Sequence, residues 1–391
     1  MLLPSFVGGG AERVGLHLIE HWVQEGYDVD LVLLSAHGSL LDLLPPKVRV
    51  VDLEAARIRS ALVPLVRYLR QSGPFAMQAS MWPVTILAIA AKAIAGSSAR
   101  VVVSEHSTLS NQYGRRGRFH SFLLRTSLRW FYPKADARIV VSHDAADDLA
   151  RLSGLDRGTI EVIYNPVPSR ASASTPPELD ALWQAPEGRI LSVGRMSPEK
   201  NHALLLEAFA MLRRQRPVKL MLLGDGPVRE ALQRRAAELG VAGDVIFPGF
   251  VLDPQPYYAT ANLFALSSDL EGYPLVLVEA LRTGLPVVST DCRSGPREIL
   301  ADGKYGRLVS CGDATALAEA LGATLAHPPD PAGLRARGQE LSGDEAFGRY
   351  LSFMLGETPA SDPCAGVQPT RSLAPLRTGD VSSPALPRQE R

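Results

Sequence analysis

The chain has 391 residues, 46% of them hydrophobic and 21% charged, and its 41 basic side chains balance 41 acidic ones. This length favours two domains over a single core, and the zero net charge argues against a general nucleic-acid binder, so no nucleic-acid partner is expected. The three cysteines, Cys292, Cys311 and Cys364, lack the spacing of a metal site and are too few for a disulfide framework, which is typical of a protein in the reducing cytoplasm.

The start of the chain combines a short strand with a run of glycines. Residues 2–7 are barely enough for a strand and include Pro4, so either the strand is short or the start lacks several residues. Gly8, Gly9 and Gly10 follow and lead into a helix. Such glycines let the backbone approach a ligand, and a helix N-terminus favours an anion. The alternative is a plain tight turn, because the dinucleotide-binding pattern G-x-G-x-x-G is absent.

Strand-like and helix-like segments then alternate along the chain, which predicts parallel sheets built of βαβ units. In the first half, strands are expected at Gly26–Ser35, at Arg100–Ser107, at the start of Ala137–Leu152 and at Ile160–Val167. The most apolar window, Val84–Ala95, is too short to span a bilayer and is predicted to be a buried helix. The first residues also lack the basic start and long apolar stretch of a signal peptide.

A segment rich in Ser, Ala and Pro divides this pattern into two domains. We predict an N-terminal domain over residues 1–168, a linker over 169–188 and a C-terminal domain over 189–341. A terminal helix is expected within 342–355. Residues 356–391 carry few large apolar groups and are predicted to be disordered.

Two basic residues follow the first strand of the second domain. Ligands of open parallel sheets bind beyond the carboxyl ends of the strands, and Arg195 and Lys200 lie there, at the start of a helix from Asn201. Two cations beside a helix N-terminus favour a diphosphate. The alternative is a solvated basic loop with Glu199, and the Walker pattern is absent. In the first domain, His106 also follows a strand, where it either orients a substrate hydroxyl or is structural.

Two glutamates occur eight residues apart in the stretch DLEGYPLVLVEAL. Pro274 suits the first turn of a helix, which places Glu279 about five residues in, roughly 7.5 Å along the axis. From there its carboxylate can reach a ribose whose phosphates lie at the helix start. Glu271, on the loop ahead, can reach the group beyond the diphosphate. The alternative is that Glu279 pairs with a buried Arg or Lys, since an unpaired carboxylate is rarely buried.

Together these segments resemble the family 4 glycosyltransferases, a large retaining group with the GT-B fold. The resemblance covers nearly the whole chain up to about Leu355, in GGGAERV, SEHS, VSHDAADDL, IYNPV, VGRMSPEKN, LLGDGP, FPGF, EGYPLVLVEAL and DCRSGPREIL. The last segment resembles the subgroup that builds bacterial cell-surface glycans. The implied fold class is α/β of GT-B type, with two Rossmann-like parallel-sheet domains facing across a cleft and the terminal helix packing back on the N-terminal domain.

The resemblance also implies which residues act. Arg195 and Lys200 would hold the donor diphosphate, Glu279 the ribose and Glu271 the donor sugar, which His106 would meet from the other domain. Phe250, in the Pro248–Val251 loop, would border the base. The implied catalytic residues are His106, Arg195, Lys200 and Glu271. The implied donor-binding residues are Gly9, Gly10, Arg195, Lys200, Phe250, Glu271, Gly272, Tyr273, Pro274, Leu275 and Glu279.

The implied reaction is retaining transfer of a sugar from a nucleotide-sugar, a UDP-sugar by preference, to a glycan or polyprenyl-linked glycan acceptor. Charge growing on the leaving diphosphate would meet Arg195, Lys200 and the helix dipole, so no metal or other cofactor is expected. The one D-x-D, Asp28 to Asp30, opens a strand rather than ending one and is predicted to be solvated. Two rivals are a non-hydrolysing sugar-nucleotide epimerase of the same architecture and a non-catalytic scaffold. The scaffold would be favoured by loss of Arg195, Lys200 or Glu279, and all three are present.

A basic, aromatic-rich helix is expected within GRRGRFHSFLLRTSLRWFYPK. Arg115, Arg116 and Arg118 lie at its start, among phenylalanines, leucines and a tryptophan. Such a helix can lie on an anionic bilayer, so the sequence predicts a cytoplasmic protein that can bind the inner face of the plasma membrane peripherally. The alternative is a core-facing helix whose arginines are merely solvated.

Overall fold

The computed structural model describes residues 1–114, 117–167, 177–183 and 188–357. Arg115, Arg116, parts of the predicted linker and most of the segment predicted to be disordered, 358–391, lie outside the described residues.

Within these ranges the first half of the chain forms a parallel sheet covered by helices. Its strands are β1 (Leu2–Leu3), β2 (Asp30–Leu33), β3 (Arg49–Asp52), β4 (Ala76–Ser80), β5 (Arg100–Glu105), β6 (Ala137–Val140) and β7 (Glu161–Val162), in the order β3-β2-β1-β4-β5-β6-β7. Its helices are α1 (Gly10–Gln24), α2 (Leu62–Ser72), α3 (Val84–Ala95), α4 (Leu109–Gly114), α5 (Arg118–Phe131) and α6 (His143–Ser153). Every strand pairing is parallel, as predicted from the alternating pattern.

The second half repeats this arrangement. After α7 (Pro177–Trp183) come the strands β8 (Arg189–Val193), β9 (Lys219–Leu223), β10 (Val245–Gly249), β11 (Leu263–Leu266), β12 (Val287–Thr290) and β13 (Arg307–Val309), in the order β10-β9-β8-β11-β12-β13. The helices are α8 (His202–Arg213), α9 (Arg229–Glu238), α10 (Gln255–Thr260), α11 (Leu275–Thr283), α12 (Pro296–Ile299), α13 (Ala314–Ala326), α14 (Pro331–Glu340) and α15 (Asp344–Leu355). These pairings are also parallel, so the expectation of two parallel α/β domains is confirmed.

Both sheets are buried on both faces, which explains their apolar sequences. In β5, the side chains of Val101, Val102 and Val103 are at most 1% exposed although they alternate between faces. Helices on each side cover such strands, so near-continuous runs of Val and Leu are what a parallel sheet requires.

Strand β1 is central to the first sheet yet only two residues long. Leu2 pairs with β2 on one side and β4 on the other. Pro4 has no N–H to continue the ladder, so the strand ends at Leu3. The glycine loop therefore leaves the sheet from its middle.

The last helix returns to the first domain. Ala346, Tyr350 and Met354 of α15 belong to the same apolar cluster as α1 residues such as Val14 and Ile19. The return begins at Ser342, whose carbonyl accepts a hydrogen bond from the Val167 N–H over 2.7 Å. The two places where the chain crosses between domains are therefore side by side.

The described part of the predicted linker is not loose. It forms α7, and Trp183 at the end of that helix is fully buried. Its indole N–H donates to Thr260 Oγ1 over 2.8 Å. A large aromatic side chain gains free energy from burial, and this anchors the segment to the second domain despite its many small residues. No described helix has the length and apolar character needed to cross a membrane.

Candidate active site

An ion pair lies at the carboxyl ends of β8 and β11. Lys200 ends a 3₁₀ turn, Pro198–Lys200, and Glu271 lies on the loop between β11 and α11. Lys200 Nζ lies 2.6 Å from Glu271 Oε1, and the Ser268 hydroxyl donates to the same oxygen over 2.6 Å. Glu271 is only 7% exposed. A buried carboxylate needs such partners, and the pairing brings two predicted site residues together.

Asn201 occupies the start of α8, the helix that the sequence placed beside the two cations. Its side-chain oxygen accepts from the Leu204 N–H, and its side-chain nitrogen donates to the Asp269 carboxylate. Its φ of 44° lies in the left-handed region that Asn tolerates. This helix N-terminus is therefore already capped by the protein itself.

The N-terminus of α11 carries no such cap. Pro274 is the N-cap residue rather than the first helical residue, and no side chain accepts a hydrogen bond from the first turn. The first amides of a helix lack intrahelical partners, so this end offers an anion both N–H donors and the positive end of the helix dipole. The sequence placed phosphates both beside Arg195 and Lys200 at α8 and at the start of α11, within reach of Glu279. Of these two helix starts, only that of α11 has no side-chain cap.

Glu279, one turn along α11, pairs with a tyrosine rather than with a buried cation. The Tyr258 hydroxyl donates to Glu279 Oε2 over 2.7 Å, and no described residue donates to Oε1. Burial raises the pKa of Glu279, and the hydrogen bond from Tyr258 acts in the opposite direction. Burial, together with the neighbouring carboxylate, raises the pKa of Tyr258 well above its usual value, so the phenol stays a donor. One carboxylate oxygen is thus fixed and the other remains available to a ligand.

Arg195 lies exposed near the N-terminus of α1 in the other domain. Arg195 interacts electrostatically with Glu12, a nearly buried carboxylate of the first turn of α1. Burial raises the pKa of Glu12, while backbone N–H groups, including that of Gly9, and the charge of Arg195 oppose the shift. A Cβ added to Gly9 would overlap the Glu12 carboxylate. A larger residue at position 9 would therefore require the Glu12 carboxylate to shift, whereas a Cβ at Gly10 would meet nothing within 4 Å.

His106 meets the loop of residues 271–274, which the sequence predicted to bind the donor sugar and which is called the donor loop below, through its backbone. A Cβ added to Gly272 would lie 2.7 Å from the His106 carbonyl carbon and 2.9 Å from Ser107 Cα. The imidazole instead turns toward the sheet, where Nε2 lies 3.2 Å from Ser104 Oγ. Burial lowers the pKa of His106 to about 4, and a hydrogen bond with Asn165 acts in the opposite direction. The ring is therefore neutral at ordinary pH.

The remaining loop residues join the two domains. The Tyr273 ring is buried and stacks on Tyr164, with centroids 4.9 Å apart and planes 15° apart. Leu275 is half-buried and packs against the core of the first domain. The exposed ring of Phe250, which the sequence predicted to border the base, would lie 3.9 Å from a Cβ added to Gly8, so in the structure it borders the glycine loop.

Helix α5 presents an apolar face to solvent. Phe119, Phe122 and Trp130 are 79%, 66% and 69% exposed, and the exposed Arg118 and Arg129 flank them. Leu124 and Leu128, on the opposite face, hold the helix to the core. The core-facing alternative therefore does not account for the aromatic residues.

The D-x-D segment lies away from the site. Asp30 begins β2, at the amino end of the sheet, and bonds to the Arg49 guanidinium and the Tyr68 hydroxyl. Among the described residues, no three His, Cys, Asp or Glu side chains are grouped so that they could hold a metal ion.

Sequence reasoning missed Glu12, Ser268 and Tyr258. Glu12 stands inside the glycine segment itself, in the first turn of a helix, where an acidic residue commonly interacts with free amides. Ser268 follows β11 and could have been found by the same strand-end argument as Lys200. Tyr258 has no local signal, because it reaches Glu279 from a different helix.

Comparison with known proteins identifies both halves. A family model described as Glycosyltransferase Family 4 matches residues 8–170, and a model described as Glycosyl transferases group 1 matches residues 181–341. An N-acetylgalactosamine-N,N'-diacetylbacillosaminyl-diphospho-undecaprenol 4-alpha-N-acetylgalactosaminyltransferase of Campylobacter jejuni is 34% identical over 55% of this chain, and the match spans 57% of that enzyme. A second Campylobacter jejuni enzyme, a GalNAc-alpha-(1->4)-GalNAc-alpha-(1->3)-diNAcBac-PP-undecaprenol alpha-1,4-N-acetyl-D-galactosaminyltransferase, is 28% identical, with 82% of this chain and 86% of that enzyme matched.

Solved structures agree on the fold. The crystal structure of Anabaena HepE in complex with UDP-glucose superimposes with a TM-score of 0.75 at 21% identity, covering 90% of this chain and 98% of that one. WaaG, a glycosyltransferase involved in lipopolysaccharide biosynthesis, superimposes with a TM-score of 0.68 over 91% of this chain and 99% of that one, at 16% identity. The two family models together cover most of the chain, and they agree with the two facing parallel sheets. The chain therefore belongs to the group 1 glycosyltransferases, which have the GT-B fold.

Proposed function

We propose that the protein is a retaining glycosyltransferase that moves a sugar from a nucleotide-sugar, a UDP-sugar above all, to a lipid-linked glycan in cell-surface polysaccharide assembly. The main observation that supports this proposal is that Lys200, Glu271 and the uncapped start of α11 lie together, with Glu279 one turn away. The acceptor class is supported by the two Campylobacter relatives, whose names describe undecaprenol-linked substrates. HepE with UDP-glucose supports the choice of UDP.

The site would act chiefly on the leaving group. The bond between the anomeric carbon and the diphosphate breaks, and the acceptor oxygen bonds to that carbon on the same face. The acceptor proton passes to an oxygen of the departing diphosphate. Negative charge therefore grows on the diphosphate, where Lys200, Arg195 and the start of α11 supply positive potential. In this proposal the protein needs neither a metal nor another cofactor.

The two glutamates would hold opposite ends of the donor. Glu279 Oε1 would accept from the ribose hydroxyls while Tyr258 keeps Oε2 in place. Glu271, bonded by Lys200 and Ser268, would accept from the donor sugar as Lys200 turns toward the diphosphate. A carboxylate already oriented by a neighbour loses less conformational entropy on binding, which favours affinity.

The acceptor would reach the site from a membrane surface. Helix α5 exposes Phe119, Phe122 and Trp130 beside arginines, the combination that lies in the interface of an anionic bilayer. We therefore place the protein in the cytoplasm, bound peripherally to the inner face of the plasma membrane. Arg118 belongs to this surface, and the companion arginines 115 and 116 lie outside the described residues.

The test is a transfer assay with defined donors and acceptors. The purified chain would be incubated with UDP-GalNAc, UDP-galactose, UDP-glucose and UDP-GlcNAc, each with undecaprenyl-diphosphate-linked saccharides, with and without EDTA. We expect UDP release and a lengthened glycan from one donor, an anomeric configuration matching the donor's by NMR, and no loss with EDTA. An inverted product would overturn the retaining mechanism, and a strict need for Mg²⁺ or Mn²⁺ would overturn the metal-independent one. If no UDP-sugar reacts while a GDP- or ADP-sugar does, the choice of UDP is wrong.

A further inference from the structure

Two sequence segments with no role in the site, VSHDAADDL and DCRSGPREIL, meet at the boundary between the domains. The first forms the start of α6 in the N-terminal domain, and the second leads into α12 in the C-terminal domain. They are about 150 residues apart in sequence, yet several hydrogen bonds join them.

Glu298 caps α6 from the other domain. Its Oε1 accepts from the His143 N–H over 3.1 Å and from the Asp144 N–H over 3.4 Å, and its Oε2 lies 3.3 Å from the His143 nitrogen. These amides belong to the first turn of α6, where helix N–H groups have no intrahelical partner. A carboxylate at this end also interacts favourably with the helix dipole.

The second domain's backbone receives a carboxylate in return. Asp144 Oδ2 accepts from the Ser294 N–H over 3.1 Å, so each domain supplies a carboxylate to the backbone of the other. Ser142, the N-cap of α6, accepts from the Ala145 N–H and lies 2.5 Å from Ser294 Oγ. The Ser294 N–H and the first amides of α6 therefore have hydrogen-bond acceptors from the opposite domain.

Ser294 continues the chain of hydrogen bonds into the donor loop. Its hydroxyl donates to the Gly272 carbonyl over 2.9 Å, which means that Ser142 must donate the hydrogen between the two serines. Gly295 supports the same loop, since a Cβ there would lie 2.5 Å from Pro274 Cδ and 2.8 Å from the Gly272 oxygen. The loop carrying Glu271 thus packs directly against these interdomain contacts.

The backbone of Ser294 is strained. Its φ is 73°, a left-handed conformation that a non-glycine residue adopts at a cost, and the side chain is 2% exposed. A glycine would fit this conformation without strain but would lack the hydroxyl. The strained conformation allows Ser294 to form its three hydrogen bonds, to Ser142, Asp144 and Gly272.

We propose that the two segments form an interdomain latch in which Glu298 and Ser294 are positioning residues that set the donor loop when the domains close. Its link to turnover rests on the proposed glycosyl transfer, whereas the latch itself does not. These contacts form only when α6 and the 294–298 segment meet. Closure of the two domains therefore also sets the geometry of the donor loop.

The first test is amide hydrogen exchange on the full chain, without ligand. Glu298→Ala removes the acceptor and should speed exchange at His143 and Asp144 by about tenfold or more, whereas Glu298→Gln keeps one acceptor and should stay within about threefold of wild type. Asp147→Ala, which removes an exposed carboxylate of α6 and its bond to Arg157 but no acceptor of the two amides, is the control and should leave both amides unchanged. Equal exchange in wild type and Glu298→Ala, or faster exchange along all of α6 in every variant, overturns the latch.

The second test is Ser294→Gly, which relaxes the backbone and removes the whole side chain, the Cβ together with its hydroxyl. We expect a melting temperature no lower than wild type, UDP affinity within about twofold, and a fall of about tenfold in kcat with little change in donor KM. Unchanged kcat overturns the positioning role, even if the exchange results stand. If wild type transfers no sugar at all, the proposed function fails, and the exchange measurements still decide the latch.

Discussion

Replacing Gly272 with alanine should prevent the donor loop from meeting His106. In the structure an added Cβ would lie 2.7 Å from the His106 carbonyl carbon and 2.9 Å from Ser107 Cα. Carbon atoms normally approach to about 3.5–4.0 Å, so the two backbones must separate by about 1 Å. The added Cβ is fixed to the main chain and the atoms that it meets are main-chain atoms, so no side-chain rotation can relieve the overlap.

A displacement of this size at a reacting centre has a known order of magnitude. Misplacing reacting groups by 1 Å can cost about a hundredfold in rate, or about 2.7 kcal/mol in the barrier. We expect Gly272→Ala to lower kcat by about this factor. UDP should still bind within a fewfold of wild type, because Glu279 and the start of α11 lie within one domain.

The assay combines transfer kinetics with UDP titration calorimetry. Gly243→Ala is the matched control, because Gly243 is exposed in the second domain and a Cβ there meets nothing within 4 Å. The control should keep wild-type kcat. Full turnover by Gly272→Ala would show that the His106–Gly272 contact does not belong to the reacting conformation, and the reasoning would be refuted.

Three further outcomes are expected. Lys200→Ala and Arg195→Ala should each lower kcat by about 10²–10³ through lost charge stabilisation, and wild-type rates in both would remove them from the site. Arg118→Glu should weaken binding to anionic liposomes about fivefold or more at low salt, and Arg234→Glu, an exposed reversal in the other domain, should not. Burial raises the pKa of Glu105 to about 7, so its contribution to stability is complete below its unfolded pKa of about 4.5 and is lost as pH rises through about 7. The melting temperature should fall over that range, and Glu105→Gln should flatten the dependence.

The sequence predicted the two parallel sheets well because their signals are local. Apolar runs such as Val101 to Val103 identify strands buried on both faces, and alternation with helices identifies parallel pairing. Element boundaries were less accurate. The predicted strand Gly26–Ser35 begins only at Asp30, since Gly26 has a φ of 91° and ends the preceding helical turn.

Residue type indicates which polar side chains follow the strands, but it does not predict the partners of those side chains. Lys200 and Glu271 were each visible as polar residues after strands, but their 2.6 Å pairing depends on β8 and β11 being neighbours in the sheet. Whether the start of α8 is capped depends on whether Asn201 turns its side chain onto its own helix. The His106 imidazole turns away from the donor loop because Ser104 lies beneath it. None of these orientations is a property of a short segment.

The return of α15 to the first domain has a consequence for synthesis. Ala346, Tyr350 and Met354 complete an apolar core that also contains the side chains of α1 and β2, so the first domain to be translated is also the last to be finished. Until α15 leaves the ribosome, that patch stays uncovered and is open to aggregation or to chaperones. The boundary between the two domains in the sequence therefore does not separate two independent folding units. A fragment ending at residue 341 would leave this apolar surface permanently exposed.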